Sequence, residues 1–127
     1  MSDIIVKIKK TVIEDIISFA KANYPREFFA NLEGKIGKDF VEVTGLAYHP
    51  FESDEKSAVT TSHMGTHMFG FVGSVHSHPG GVNFPSRQDK RSFSKEGGIH
   101  LIISSPFILQ NLKCFNYLGE EVSFVMI

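Results

Sequence analysis

The stretch His76-Ser77-His78-Pro79-Gly80-Gly81-Val82-Asn83-Phe84-Pro85-Ser86-Arg87-Gln88-Asp89 carries most of the chemistry of this chain and sets the order of its central elements. Ahead of it, residues 69–75 are apolar and Gly-rich, which reads as a buried strand ending at His76. Residues at i and i+2 on an extended chain point to the same side, so His76 and His78 can offer both imidazoles to one ion. Pro79 and the Gly80-Gly81 pair suit a sharp reversal. Residues 86–96 then read as a helix, stopped by Gly97 and Gly98. Asp89, in the first turn of that helix, can fold back as a third ligand. Two nitrogens and one carboxylate oxygen, with a fourth position left for water, make an open zinc site of the catalytic type. Plainer readings stand beside this one. His-x-His pairs also occur as ordinary strand or surface residues, and Ser86 with Asp89 three positions on is equally an ordinary helix start.

Outward from the motif, Ile4, Val6 and Ile8 alternate as in a short first strand. Thr11 and Glu14 have capping-box spacing, and Val12, Ile13, Ile16, Ile17 and Ala20 fall at helical intervals. A helix over 11–23 follows, and Pro25 blocks its continuation. Residues 26–36 are Phe-rich and suit a strand or a short helix, with Gly34 and Gly37 suggesting a turn. Residues 40–48 read as a strand, residues 52–57 as polar loop, and residues 59–68 fit neither pattern cleanly. Residues 101–104, 112–117 and 122–127 give three further strands, the last two forming a hairpin about Gly119. Strands outnumber helices and the helices lie between them, so the class is mixed α/β or α+β.

Composition narrows the function. The chain has 127 residues, 42% hydrophobic and 21% charged, with 12 Phe, which fits one well-packed domain over 1–127. Lys+Arg 13 against Asp+Glu 14 leaves a net charge of -1, too little positive charge for a protein living off nucleic-acid phosphates or anionic lipid. The single Cys114 excludes an intrachain disulfide and a multi-cysteine zinc cluster, and reads as a small buried hydrophobe. No apolar run approaches the roughly 20 residues of a membrane span, and the N-terminus lacks signal-peptide features. A soluble, cytoplasmic protein is expected, with neither nucleic acid nor membrane as partner.

The whole string resembles the signature of the JAMM (MPN+) metalloproteases, His-x-His-Pro, six residues, then Ser-x-x-Asp; here the six are residues 80–85. The family's upstream glutamate is matched by Glu27 in Tyr24-Pro25-Arg26-Glu27-Phe28-Phe29, directly after the first helix. The strand before the motif, the apolar strand 101–104 and the final hairpin are similar too, so the likeness covers nearly the entire chain. It implies a cytidine-deaminase-like fold, a mixed sheet flanked by helices with the metal at one sheet edge. It implies one zinc per chain on His76, His78 and Asp89, with Glu27 as general base and then acid, and Ser86 as hydrogen-bond donor to the oxyanion. Glu27 is expected to enter a buried, Phe-rich segment, where a carboxylate is costly without a partner. Ser77, on the opposite face from the ligands, is expected to support the site rather than to react.

The implied activity is hydrolysis of an amide or isopeptide bond after the C-terminal glycine of ubiquitin or a ubiquitin-like protein, whose tail would bind extended. The chain has no room for the long insertions of the eukaryotic deubiquitinases, so it looks like the compact prokaryotic, especially archaeal, form. That favours a small ubiquitin-like or sulfur-carrier protein as substrate. Two alternatives of other classes are a non-catalytic MPN scaffold and a DNA-associated relative of the RadC type. The complete set Glu27, His76, His78, Ser86 and Asp89 opposes the first, and the near-neutral charge opposes the second.

The other histidines are read as bystanders. His63 and His67 have i, i+4 spacing, but Gly65 and the Thr60-Thr61-Ser62 lead-in oppose the helix a second metal pair would need. His49 and His100 sit beside turn residues without a partner pattern. Lys90 and Arg91 read as solvated helix surface, Phe28, Phe29 and Phe71 as core, and residues 52–70 as the place to look for substrate contacts.

Overall fold

Val6 and Ile8 turn inward from β1 (Ile5–Ile8), and the same alternation buries Ala30 and Leu32 of β2 (Phe29–Ile36) and Val41 and Val43 of β3 (Phe40–Tyr48). These elements come from a computed structural model that describes residues 4–48 and 70–127. After β3 the described chain resumes at Gly70 and runs through β4 (Phe71–His78), α2 (Arg87–Glu96) and β5 (Ile99–Ser104). A single 3-10 turn (Leu109–Asn111) leads into β6 (Leu112–Phe115), β7 (Glu121–Val122) and β8 (Phe124–Met126). The eight strands of the described residues join one mixed sheet, in the order β7-β6-β5-β4-β2-β3-β1-β8. The α+β class is thus observed, with one helix against each face among the described residues.

Helix α1 (Lys10–Asn23) lays Val12, Ile13, Ile16 and Ala20 on one face of the sheet, where they join Val43, Val75, Leu101 and Ile103 in the main core. On the opposite face, Phe93 of α2 packs with Ile102 and Phe115 in a smaller cluster. Ile102 alternates with Leu101 and Ile103 along β5, which is how one strand serves both layers.

Several sequence expectations change. Helix α1 starts at Lys10, not Thr11, and its N-cap is Lys9 with no side-chain cap bond, so Thr11 and Glu14 form no capping box. The reason is tertiary: the Lys10 N–H donates to the Ile127 carbonyl beyond β8 at 2.9 Å, which satisfies a helix-end donor without a side chain. The Phe-rich segment after Pro25 becomes strand β2, with a register shift between Glu33 and Gly34 where it leaves β3's regular ladder. The expected single strand 122–127 is split at Ser123. β7 pairs antiparallel with β6, whereas β8 pairs parallel with β1 at the other end of the sheet order. One residue between strands spans at most about 7 Å, so the sheet curls until its two edges nearly meet.

The metal motif is correspondingly not at a sheet edge. β4 is interior, antiparallel to β2 and parallel to β5, and both histidines lie at its carboxyl end. Loop 79–86 and α2 form the crossover between the parallel pair, and ligand sites in open α/β sheets occupy this carboxyl-end position. The close approach of β4 and β5 depends on Gly73, where a Cβ would run into the Ile99 backbone.

Candidate metal centre

The alternation along β4 sends His76 and His78 to the α2 side of the sheet and Ser77 to the main-core side. His76 stands opposite Phe29 of β2 and Ile102 of β5, so its backbone is fixed from both flanks. The loop after His78 turns back far enough for the Val82 carbonyl to lie 2.9 Å from His78 Nδ1. A carbonyl can only accept, so Nδ1 carries the proton, and when the ring is neutral Nε2 is the nitrogen left to bind an ion.

Asp89 is delivered by the start of α2. Ser86 is the N-cap, and its side chain accepts from the Asp89 N–H at 3.0 Å. The Ser86 N–H in turn donates to Asp89 Oδ2 at 2.8 Å, completing a capping box. The ordinary helix-start reading of Ser86 and Asp89 is therefore correct, and it does not compete with the other one. The same carboxylate places Oδ1 3.4 Å from His76 Nε2 and Oδ2 3.2 Å from His78 Nε2.

The two Nε2 atoms are 3.1 Å apart, and the three ligand atoms all lie within 4.8 Å of one another. For bonds of about 2.0–2.1 Å at a tetrahedral ion, ligand atoms are separated by roughly 3.3–3.4 Å. The donor set, the spacing and the tautomer of His78 all fit zinc. Without an ion, the cluster's charges hold one another. The hydrogen bond to Asp89 raises the His78 pKa above 6.5, burial opposes that rise, and the Val82 carbonyl and the Glu27 charge reinforce it. Partial burial pushes Asp89 up, but hydrogen bonds from His76 and His78 outweigh it and hold the carboxyl well below its ordinary value.

Glu27 lies just before β2 and is exposed, not buried as its Phe-rich surroundings suggested. Only the flanking Phe28 is buried, its ring 5.6 Å from Phe19 and 5.1 Å from Tyr48. The Glu27 charge is nonetheless felt at His78, so the carboxylate lies within electrostatic reach of the cluster. Ser86 is exposed as well. Accepting from Asp89 N–H uses a lone pair of its Oγ, so the hydroxyl proton can still be donated outward.

One further feature is not read from the sequence. His100 is fully buried on β5 and is not a turn-side bystander. Its Nε2–H donates to the Gly97 carbonyl at 2.8 Å, so Nδ1 accepts from Ser74 Oγ at 2.7 Å. Burial pushes it down to about 4, which keeps it neutral under Phe93, whose ring stacks on it at 4.1 Å. The signal available was Ser74, two residues before His76 and so on the same face. Ser77, expected on the opposite face as a supporting residue, bonds the Phe28 backbone through both its hydroxyl and its N–H. Phe28 and Cys114 are core as expected, the latter thiol pushed up to about 12 by burial, while Phe29 and Phe71 are half-buried. Lys90 and Arg91 are exposed. His49, His63, His67 and nearly all of residues 52–70 lie outside the described residues.

Known proteins supply the context for this geometry. Residues 9–116 match the family of prokaryotic homologues of the JAB domain. A "probable metalloprotease" of Haloferax volcanii is 30% identical over 123 residues, covering 91% of this chain and 76% of that protein. Among solved structures, a JAB1/MPN domain protein from Archaeoglobus fulgidus superposes with TM-score 0.72 at 31% identity, over 95% of this chain and 98% of that one. Another, described as JAMM, a metalloprotease-like zinc site in the proteasome and signalosome, gives TM-score 0.72 at 28% identity over 97% and 98% of the two chains. No described helix is long and apolar enough to cross a membrane.

Proposed function

This chain belongs to the family of prokaryotic homologues of the JAB domain, and from that premise we propose that it is a zinc-dependent isopeptidase holding one zinc per chain. It is of metalloprotease type, and its proposed substrates are amide or isopeptide bonds after the C-terminal glycine of a small ubiquitin-like protein. The observation that carries this reading is the mutual spacing of His76 Nε2, His78 Nε2 and the Asp89 carboxylate, 3.1 to 3.4 Å, on a rigid strand end and a capped helix.

When bound, zinc lowers the pKa of a coordinated water to about 7 and polarises a carbonyl. The chain's own residues do the rest. Glu27, exposed beside the cluster, takes the proton that water loses as its oxygen adds to the scissile carbonyl carbon. It returns that proton to the nitrogen as the C–N bond breaks, so the amine leaves neutral. Ser86 donates a hydrogen bond from its hydroxyl to the carbonyl oxygen as negative charge gathers there, a contribution of about 10²–10³ in rate elsewhere. Asp89 is oriented by the Ser86 N–H, and His78 by the Val82 carbonyl. Val82 and Phe84, 62% and 58% exposed in the loop beside the cluster, give an apolar rim suited to the residues preceding a glycine tail.

The test is cleavage of a ubiquitin-like protein fused through its terminal glycine to a reporter peptide or to a lysine ε-amine. The zinc-loaded protein should release the modifier with an intact terminal glycine, and Glu27→Gln should bind zinc but cleave about 10²–10⁴-fold more slowly. A Glu27→Gln variant that turned over normally would remove Glu27 from this role. Zinc binding with no hydrolysis of any such conjugate would leave a binding scaffold as the better account.

A further inference from the structure

We propose that Ser77, the residue between the two histidines, is the positioning residue that sets where Glu27 stands relative to the metal cluster; this rests on the functional reading above. β2 and β4 pair with Phe29 opposite His76, so the next rung would join Phe28 to Ser77. In a regular antiparallel ladder those residues would exchange two backbone bonds. Only one of the two is made: the Ser77 N–H donates to the Phe28 carbonyl at 2.9 Å. The return bond is diverted to the side chain, the Phe28 N–H donating to Ser77 Oγ at 2.8 Å. The ladder therefore ends at this rung, and the chain leaves the sheet between Phe28 and Glu27.

Every handle on Phe28 is thus fixed. Its ring is fully buried against Phe19 and Tyr48, its N–H ends on Ser77 Oγ, and its carbonyl takes the Ser77 N–H. Ser77 is itself fully buried and is covalently flanked by both imidazoles. The path from the metal ligands to the carboxylate is then two residues and two hydrogen bonds long, with nothing solvent-exposed in it until Glu27. An exposed glutamate on an untethered strand end would sample many positions. This one is anchored to the strand that carries the ligands.

The arrangement separates two jobs by the faces of β4. Even-numbered His76 and His78 serve the ion on one face, and Ser77 on the other reaches across to the neighbouring strand. Removing the hydroxyl leaves the imidazoles in place but strands a buried donor at Phe28, so the segment holding Glu27 must shift to rehydrate it. A misplacement of about 1 Å in a reacting group can cost roughly 10²-fold in rate. Ser77→Ala is therefore expected to bind metal normally and to lower kcat by about 10- to 100-fold with little change in KM.

The experiment uses the full chain loaded with cobalt(II), whose paramagnetism shifts the NMR signals of nearby amides according to their position relative to the ion. Ser77→Ala should change the shift of the Glu27 amide while leaving those of α2 and β5 in place, and Ser77→Thr, which keeps the hydroxyl, should restore it. In the metal-free protein the Phe28 N–H should lose its hydrogen-exchange protection in Ser77→Ala and in Ser77→Cys. In the cleavage assay, Ser77→Ala added to Glu27→Gln should cost no more than about twofold beyond Glu27→Gln alone, because both act through one carboxylate. An unmoved Glu27 amide in Ser77→Ala, or fully additive losses, would overturn the proposal, as would a chain that takes up no cobalt. A wild-type protein that binds cobalt and shows these shifts yet cleaves nothing would sink the isopeptidase reading and leave the anchoring role of Ser77 standing.

Discussion

Helix α2 reaches the sheet through very little apolar surface. Of its residues Arg87–Glu96, only Phe93 and Glu96 are buried. Burial pushes the Glu96 carboxyl up to about 7, so near neutral pH its burial opposes docking and does not drive it. Phe93, 2% exposed, stacked on His100 at 4.1 Å and packed on Ile102 and Phe115, is the main apolar anchor of the helix among the described residues. Asp89 sits one turn before it on the same helix face. Phe93→Ala should cost about 3–5 kcal/mol of packing, and a ten-residue helix does not persist by itself in water. Much of that loss should appear as detachment of α2, which carries Asp89 away from the histidines. Each 1.4 kcal/mol needed to re-dock the helix weakens zinc binding about tenfold, so affinity should fall by roughly 10- to 100-fold or more. The floor is the affinity of Asp89→Ala, beyond which detachment can remove nothing further. The assay is competition with a chelating dye, beside thermal unfolding of the metal-free protein. Ile16→Ala, a change in the main core far from α2, serves as control: it should lower the melting temperature comparably and leave zinc affinity unchanged. Phe93→Ala that unfolds earlier but binds zinc within about twofold of the parent would refute the reasoning.

Other outcomes follow from the same structure. Ser86→Ala should lose about 1 kcal/mol of helix-cap stability by thermal or denaturant unfolding. It should retain zinc, since the Ser86 backbone N–H still orients Asp89, and lose about 10²–10³ in cleavage rate. In the metal-free protein, His78 is raised above 6.5, so its contribution to stability is complete below 6.5 and is lost as pH rises through the raised value. Asp89 is lowered from 3.8, so its contribution is present above 3.8 and is lost in acid. Unfolding of chelator-treated protein against pH should therefore show this cluster's stabilisation between those limits, and Asp89→Asn should flatten the curve. Gly73→Ala should prevent folding or cost more than about 3 kcal/mol, because the new Cβ meets the Ile99 backbone. Gly80→Ala, whose new Cβ meets nothing within 4 Å among the described residues, should stay within about 0.5 kcal/mol of the parent by the same unfolding measurement.

What the sequence revealed tracks how local each feature is. The His76 and His78 pair follows from strand alternation, and the Ser86 and Asp89 pair from one helical turn, so both could be read from short spacings. The α1 stripe and its stop at Pro25 are equally local. The helix start was misread because its first N–H is satisfied by Ile127, a partner more than a hundred residues away. Residues 122–127 looked like one strand because no local signal marks Ser123 as the point where the chain passes between opposite sheet edges. The exposure of Glu27 went unseen because a run of Phe suggests burial for every residue within it, whereas Ser77 ends the ladder one residue later. The role of His100 is hidden because its partner Ser74 comes opposite it only when β4 and β5 pair in parallel.

Metal content per chain, measured by elemental analysis on purified protein beside its Asp89→Ala variant, tests the central claim most directly. The structure predicts about one zinc per chain in the parent and a sharp fall in the variant, since the carboxylate supplies one of three closely spaced ligands. Negligible zinc in the parent after metal is added back and excess removed, or equal zinc in both proteins, would contradict it.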